Sequence, residues 1–254
     1  MRRVYLLSLL FSIWYHCTTI SSCYTRITYK IYLRFVPITQ VLFENDKSLD
    51  LAADVILNGG VVCIPTDTVY GLAALAENSI SVDKIFQIKE RASGVPLPVL
   101  IGSFPQINQF TDKVNDLEKA LASEFWPGAL TLIVDKSSLV PENLTGNLST
   151  VGCRIPDHAV PLAITNKINK GITGTSANKS GLPPATNIEE ALEQFEDSGV
   201  DLIIDGGDSK SNKPSTIIEC KDSIINIIRE GVITREDIFS AISKHIDFEV
   251  KFNG

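Results

Sequence analysis

The chain has 254 residues, 44% of them hydrophobic, enough to bury the core of one large domain or two small ones, with no internal repeat or low-complexity tract. Its net charge of −7 is unevenly spread: residues 1–43 hold five cations (Arg2, Arg3, Arg26, Lys30, Arg34) and no acid, leaving eighteen basic against thirty acidic residues, a net of −12, in the rest. Such a body argues against non-specific nucleic-acid binding, which needs a basic surface to displace counterions, and leaves room only for a local basic pocket that takes an anionic small molecule.

Residues 1–43 read as an N-terminal extension ahead of a catalytic body over 44–254. Arg2-Arg3 followed by VYLLSLLFSIWY has the charged and apolar regions of a signal peptide, yet no small-residue cleavage site follows. The apolar run is too short to span a bilayer as a helix. The lack of acids and the supply of Arg, Ser and Thr suit a mitochondrial transit peptide as well, and a mis-called start codon is the third reading. We adopt a targeting segment, with cytosol, mitochondrion or both as the compartment. Of five cysteines, Cys17 and Cys23 lie in the extension, and Cys63, Cys153 and Cys220 leave an odd three in the body. That argues against a disulfide framework and fits a reducing compartment. The histidines, His16, His158 and His245, are scattered, so no zinc site is expected.

From Lys47 onward helices alternate with strands. SLDLAADVILN (48–58) is amphipathic and stops at Gly59-Gly60. VVCI (61–64) is a short buried strand, and the turn after it, PTDTVYGL (65–72), presents three hydroxyls, Thr66, Thr68 and Tyr70. On an extended segment these alternate positions share one side, a face that asks for a polar ligand. SVDKIFQIKE (81–90) has helical spacing, PVLIG (98–102) is a strand, and VNDLEKALASEF (114–125) is a helix closed by Trp126-Pro127-Gly128. ALTLIV (129–134) and STVGCRI (149–155) are strands, and HAVPLAITNKI (158–168) is a helix despite Pro161. After GITGTSAN (171–178) come a helix (187–195), three strands (201–205, 215–220, 224–228) and a last helix (234–243). This interleaving predicts an α/β domain around a twisted mixed sheet, with ligands where strand ends meet loops. Neither the G-x-G-x-x-G of a dinucleotide fold nor a P-loop motif is present.

Four segments carry polar residues that core packing does not demand. The first is PTDTVYGL. The second is Lys89-Glu90-Arg91, where two cations at a helix end are also explained by the helix dipole alone. The third is TSAN (175–178), where Ser176 and Asn178 project to one side of an extended stretch. The fourth is PST (214–216), followed fourteen positions after Ser215 by Arg229.

Taken in order, PTDTVYGL, K-x-R, CRIP, SAN, PSTII and I-I-R-x-G resemble the YrdC family of threonylcarbamoyl-AMP synthases. The resemblance implies a single α/β domain with a twisted open sheet around a large basic cavity, in the short form that lacks a further C-terminal domain. It implies an enzyme that joins L-threonine, bicarbonate and ATP into threonylcarbamoyl-adenylate and releases pyrophosphate. Mg²⁺ would arrive with the ATP. The product would pass to the threonylcarbamoyl transferase complex that modifies transfer RNA. Carried over by position, Lys89 and Arg91 meet the triphosphate, and Thr150, Asn178, Thr186 and Arg229 hold the remaining phosphates, the ribose or the base. Thr68, Arg154, Ser176 and Ser215 form the threonine pocket, with Arg154 on the carboxylate. Two positions depart from the family pattern: Val95 stands where a polar residue, often Lys, is usual, and Leu100 where some members have His. Two readings compete with this one. An RNA-binding module, with any transfer-RNA contact through the same cavity, is disfavoured by the acidic body and the absence of basic and aromatic interleaving. A carbamoyl transferase of the hydrogenase-maturation type would need acylphosphatase and zinc-finger regions that the chain does not contain.

Overall fold

The structure, a computed structural model, describes residues 39–221, 224–245 and 251–253. Residues 1–38 of the expected targeting segment, with Cys17 and Cys23, lie outside the described residues. The helices are α1 (Asp46–Leu57), α2 (Ser79–Ile88), α3 (Asp116–Phe125), α4 (Glu142–Thr145), α5 (Ala159–Ile168), α6 (Ile188–Phe195) and α7 (Arg235–His245). Asparagine starts four of them: Asn45, Asn78, Asn115 and Asn187 each accept hydrogen bonds from first-turn amides of α1, α2, α3 and α6. This satisfies donors that the helix itself cannot pair. Pro161 is tolerated because it falls in the first turn of α5, where its missing N–H has no helical acceptor.

The strands are β1 (Gln40–Phe43), β2 (Val62–Ile64), β3 (Gly71–Ala73), β4 (Val99–Leu100), β5 (Leu130–Asp135), β6 (Thr150–Arg154), β7 (Ile172–Thr173), β8 (Thr175–Ser176), β9 (Leu202–Asp205), β10 (Thr216–Lys221), β11 (Ile224–Arg229) and β12 (Lys251–Asn253). They form two mixed sheets, one of five strands ordered β1-β9-β2-β3-β8 and one of seven ordered β12-β11-β10-β5-β6-β4-β7. The single sheet expected from the sequence is therefore two. The stretch GITGTSAN is where they diverge. Ile172 and Thr173 pair with β4 in one sheet, and Thr175 and Ser176 pair with β3 in the other. Gly174 sits at the crossing, and a Cβ there would lie 2.5 Å from Leu100 Cγ, so only glycine lets the chain pass so close to β4.

Strand β2 is buried on both faces, which explains its unbroken apolar run. Val62 and Ile64 pack with Ala52 and Ile56 of α1 and Val160 and Ile164 of α5, while Cys63 faces the larger core on the other side. Cys63, Cys153 and Cys220 are free thiols, all buried. Among the described residues no helix is long and apolar enough to cross a membrane.

Strand β1 lies inside the stretch read as extension. Gln40–Phe43 pairs in parallel with Leu202–Asp205, and the Thr39 hydroxyl donates to carbonyls in the 195–200 segment. The body thus reaches back at least to residue 39 and not only to 44. A four-residue edge strand, with Pro37 alone ahead of it as a break, merges with the apolar text before it. A second glycine is required at residue 146, where φ is +60° and a Cβ would come within 2.2 Å of the Gly94 carbonyl oxygen. Gly146→Ala is expected to lower stability in chemical denaturation by about 1–3 kcal/mol, because neither backbone can give way cheaply.

Candidate active site

The loop that joins β2 to β3 meets the C-terminal end of β6. The Arg154 guanidinium there is 5% exposed and makes three contacts. Its Nε donates to the Gly128 carbonyl at 2.8 Å, one Nη to the Thr68 hydroxyl at 3.2 Å, and the other Nη to Asp67 Oδ1 at 2.6 Å. Burial pulls the Arg154 pKa down, and the Asp67 carboxylate pushes it back up. Thr66 and Thr68 do lie on one side, with their hydroxyl oxygens 3.0 Å apart. Tyr70 leaves that side. Its hydroxyl donates to the Gly207 carbonyl at 2.8 Å, and its burial raises its pKa to about 12. The reason is local: the chain turns into β3 at Gly71, so the alternation that holds for Thr66 and Thr68 ends before Tyr70. Tyr70→Phe should therefore lower stability by about 1 kcal/mol in chemical denaturation while leaving ligand affinity unchanged.

Beside Arg154, the neighbouring strands β5 and β10 add a second group of hydroxyls. Ser215, just ahead of β10, lies 2.9 Å from Thr131 Oγ1 near the start of β5. Arg229, at the end of β11, folds back onto Ser215, donating to its carbonyl at 2.8 Å and its hydroxyl at 3.3 Å. Burial, and then the nearby charge of Arg154, depress the Arg229 pKa. Two guanidinium groups near each other make this end of the site a receiver of anions.

Lys89 and Arg91 reach their places through the end of α2. Arg91 N–H returns to the Phe86 carbonyl and Glu90 N–H to the Gln87 carbonyl, the bonds of a Schellman turn, with Glu90 at φ 51° where glycine is usual. That left-handed conformation costs about 1 kcal/mol in a residue with a Cβ. It reverses the chain so that both cations stand at one helix end. Lys89 is 2% exposed, and its ammonium donates to the Ser176 carbonyl, to the Asn178 carbonyl at 2.8 Å and to Asn178 Oδ1 at 3.3 Å. None of the ion pairs among the described residues includes it. Burial, and then the charge of Arg91, lower its pKa to about 8. Arg91 is half-buried and makes no side-chain hydrogen bond or ion pair among the described residues, with burial lowering its pKa.

The TSAN segment links the two ends of the site. Gly71 pairs with Ser176 between β3 and β8, and Ala177 N–H donates to the Tyr70 carbonyl at 2.7 Å. Ser176 Oγ donates to Asn178 Oδ1 at 2.6 Å, and the Asn178 amide donates to the Lys179 and Leu182 carbonyls, each at 2.9 Å. Asn178 therefore has every donor and two acceptor positions in use. It shapes the loop that holds Lys89, and a ligand could reach its amide only by displacing one of these partners.

The model of the Sua5/YciO/YrdC family, described as telomere recombination, matches residues 54–231. The chain belongs to this family. It is 38% identical over 215 residues to threonylcarbamoyl-AMP synthase of Bacillus subtilis, covering 84% of this chain and 62% of the relative. It is 36% identical over 194 residues to threonylcarbamoyl-AMP synthase of Pyrococcus abyssi, covering 76% of this chain and 57% of the relative. It thus spans less than two thirds of the length of either. The fold is similar to that of P. abyssi Sua5 complexed with L-threonine, with a TM-score of 0.78 at 33% identity, over 85% of this chain and 62% of that one.

The remaining positions carried over from the family fall less tightly around the cations. Thr150 opens β6 on the same side of the strand as Arg154 and is half-buried. Thr186 is half-buried beside the TSAN segment, since its neighbour Ala185 bonds to both Tyr70 and Ala177, but its hydroxyl proton goes to Glu190 at 2.9 Å. Of the two departures from the family pattern, Leu100 is 2% exposed in the core of β4 against Gly174, so an apolar residue there follows from packing. Val95 is half-buried in the loop between Arg91 and β4. Sequence reasoning missed Asp67 and Thr131. Asp67 lies inside PTDTVYGL, where an acid between hydroxyls is equally what a solvated turn carries. Thr131 stood in an apolar strand, where a lone Thr carries no signal of its own.

Proposed function

We propose that the protein condenses L-threonine, bicarbonate and ATP into L-threonylcarbamoyl-adenylate and pyrophosphate. The observation that carries this reading is the pairing of β3 with β8, which sets the Arg154 and Thr68 group beside the TSAN loop that holds Lys89. One end offers a buried fork suited to a carboxylate. The other offers a buried ammonium with no acid partner and a half-buried guanidinium, suited to a polyphosphate. The naming of two relatives as threonylcarbamoyl-AMP synthases and the solved complex of P. abyssi Sua5 with L-threonine support the same assignment.

In this reading Arg154 takes the threonine carboxylate, and Thr68, Ser176 and Ser215 surround the side chain and amine. The neutral amine adds to bicarbonate, giving an N-carboxylate and water. An oxygen of that carbamate attacks the α-phosphorus of ATP, the bond from the α-phosphorus to the bridging oxygen breaks, and pyrophosphate leaves with both electrons of that bond. Mg²⁺ comes as part of the nucleotide. Lys89 and Arg91 hold the β- and γ-phosphates and neutralise charge on the departing pyrophosphate, while Thr150, Asn178, Thr186 and Arg229 border the rest of the nucleotide. Such transfers need positioning and charge neutralisation more than a covalent nucleophile. The product would be consumed by an enzyme that modifies transfer RNA. We place the activity in the cytosol, the mitochondrion or both, on the strength of the free buried thiols.

Pyrophosphate release by the full chain tests the reading. It is expected only when ATP, threonine and bicarbonate are all present. Equal release with threonine or bicarbonate left out would refute it.

A further inference from the structure

We propose that Asp67 is the positioning residue of the amino-acid pocket, holding the Arg154 guanidinium so that it receives the substrate carboxylate. The proposal rests on the functional reading above and deepens it. The two side chains come from different sheets, Asp67 from the loop between β2 and β3 and Arg154 from the end of β6. They meet at 2.6 Å with side chains only 7% and 6% exposed. A buried ion pair of this kind is a costly construction unless geometry and further hydrogen bonds complete it. Here they do, because Gly128 and Thr68 take two more of the guanidinium N–H groups.

The direction of the hydrogen bonds follows from which atoms can donate. The Val69 carbonyl can only accept, so the 2.6 Å contact from Thr66 Oγ1 uses the Thr66 proton. In the 3.0 Å contact between Thr66 and Thr68 the proton must then be that of Thr68. Arg154 can only donate, so Thr68 Oγ1 accepts from it. The chain runs one way, from Arg154 to Thr68 to Thr66 to the backbone. Two consequences follow. Thr68 has no proton left and can meet a ligand only as an acceptor, which fits the hydroxyl or amine of the substrate. Arg154 has two N–H groups left, one on each terminal nitrogen, which is the number a carboxylate takes in a two-point contact.

Asp67 also sets the charge. The charge of Arg154 lowers the Arg229 pKa, so without Asp67 two cations, Arg154 buried and Arg229 exposed, would stand at this end of the site with no carboxylate between them. With Asp67 in place the three groups sum to a single positive charge, matched to one carboxylate. Asp67 itself touches the guanidinium and need not touch the substrate.

Calorimetric titration of the full chain with L-threonine, and separately with ATP, tests this. Asp67→Ala should weaken threonine binding about tenfold or more while leaving ATP within about twofold, since truncating one partner of a buried charge pair releases the other. Added formate should restore part of the threonine affinity by filling the vacated space, a rescue that a general loss of stability would not show. If Asp67→Ala does not fold, Asp67→Asn keeps the acceptor and removes the charge, and a smaller loss confined to threonine is expected. Unchanged threonine affinity in a folded Asp67 variant, or an equal loss for threonine and ATP, would overturn the proposal. Wild-type protein that takes up no threonine would overturn the functional reading and this proposal together, whereas binding by wild type and variant alike would overturn this one alone.

Discussion

Lys89→Ala is expected to lower kcat/KM for ATP by about a hundredfold or more, the loss seen when a preorganised charge at a transferring phosphoryl group is removed. The size follows from the setting of the ammonium. It is buried, it is held by carbonyl oxygens of Ser176 and Asn178, and no ion pair among the described residues includes it. Its attraction for phosphate is therefore weakly screened. The same setting predicts a pH dependence. Burial and Arg91 lower the Lys89 pKa to about 8, so the cation is complete below that value and is lost as pH rises through it. The affinity for ATP should fall above pH 8 in the wild type, and this limb should vanish in Lys89→Ala. Bound triphosphate favours the charged form, so nucleotide binding near pH 8 should take up a proton, visible as buffer-dependent heats in calorimetry.

Arg154→Ala should have the second large effect, on stability as well as on threonine. Removing the guanidinium leaves the Asp67 carboxylate buried without its partner, which costs about 3–5 kcal/mol in comparable pairs. It also leaves the Gly128 carbonyl without the Nε donor. The double variant Asp67→Ala with Arg154→Ala should recover part of that stability but none of the threonine binding. Chemical denaturation of the three variants gives the coupling energy directly. Additive losses would mean that the pair carries no interaction of its own.

Most of the architecture was legible in the sequence because its signals are local. The glycines after α1, the helical spacing of residues 81–90 and apolar runs such as VCI and LTLIV each mark an element without reference to the rest of the chain. What stayed hidden depends on pairing. Strands β3 and β8 are three and two residues long, and only their contact with each other and with β2 makes them strands. The division into two sheets turns on Gly174, whose role appears only when Leu100 is set against it.

The site divides in the same way. The residue types and their order pointed to Lys89, Arg154 and the hydroxyl groups, and the fold brings Thr68 to Arg154, Arg229 to Ser215, and Ser176 and Asn178 to Lys89. The fold also uses some polar groups for itself. Tyr70 holds the 206–207 turn, Asn178 is occupied by its own loop, and Thr186 gives its proton to Glu190. No spacing in the sequence tells a hydroxyl that serves a ligand from one that serves a carbonyl.

Mass analysis of the nucleotide product made from carbon-13 bicarbonate, threonine and ATP tests the central claim most directly. The account predicts a single adenylate that contains one intact threonine and one labelled carboxyl carbon, formed in step with pyrophosphate. Unlabelled threonyl-adenylate, or pyrophosphate accompanied only by free AMP under conditions where adenylates survive, would contradict it.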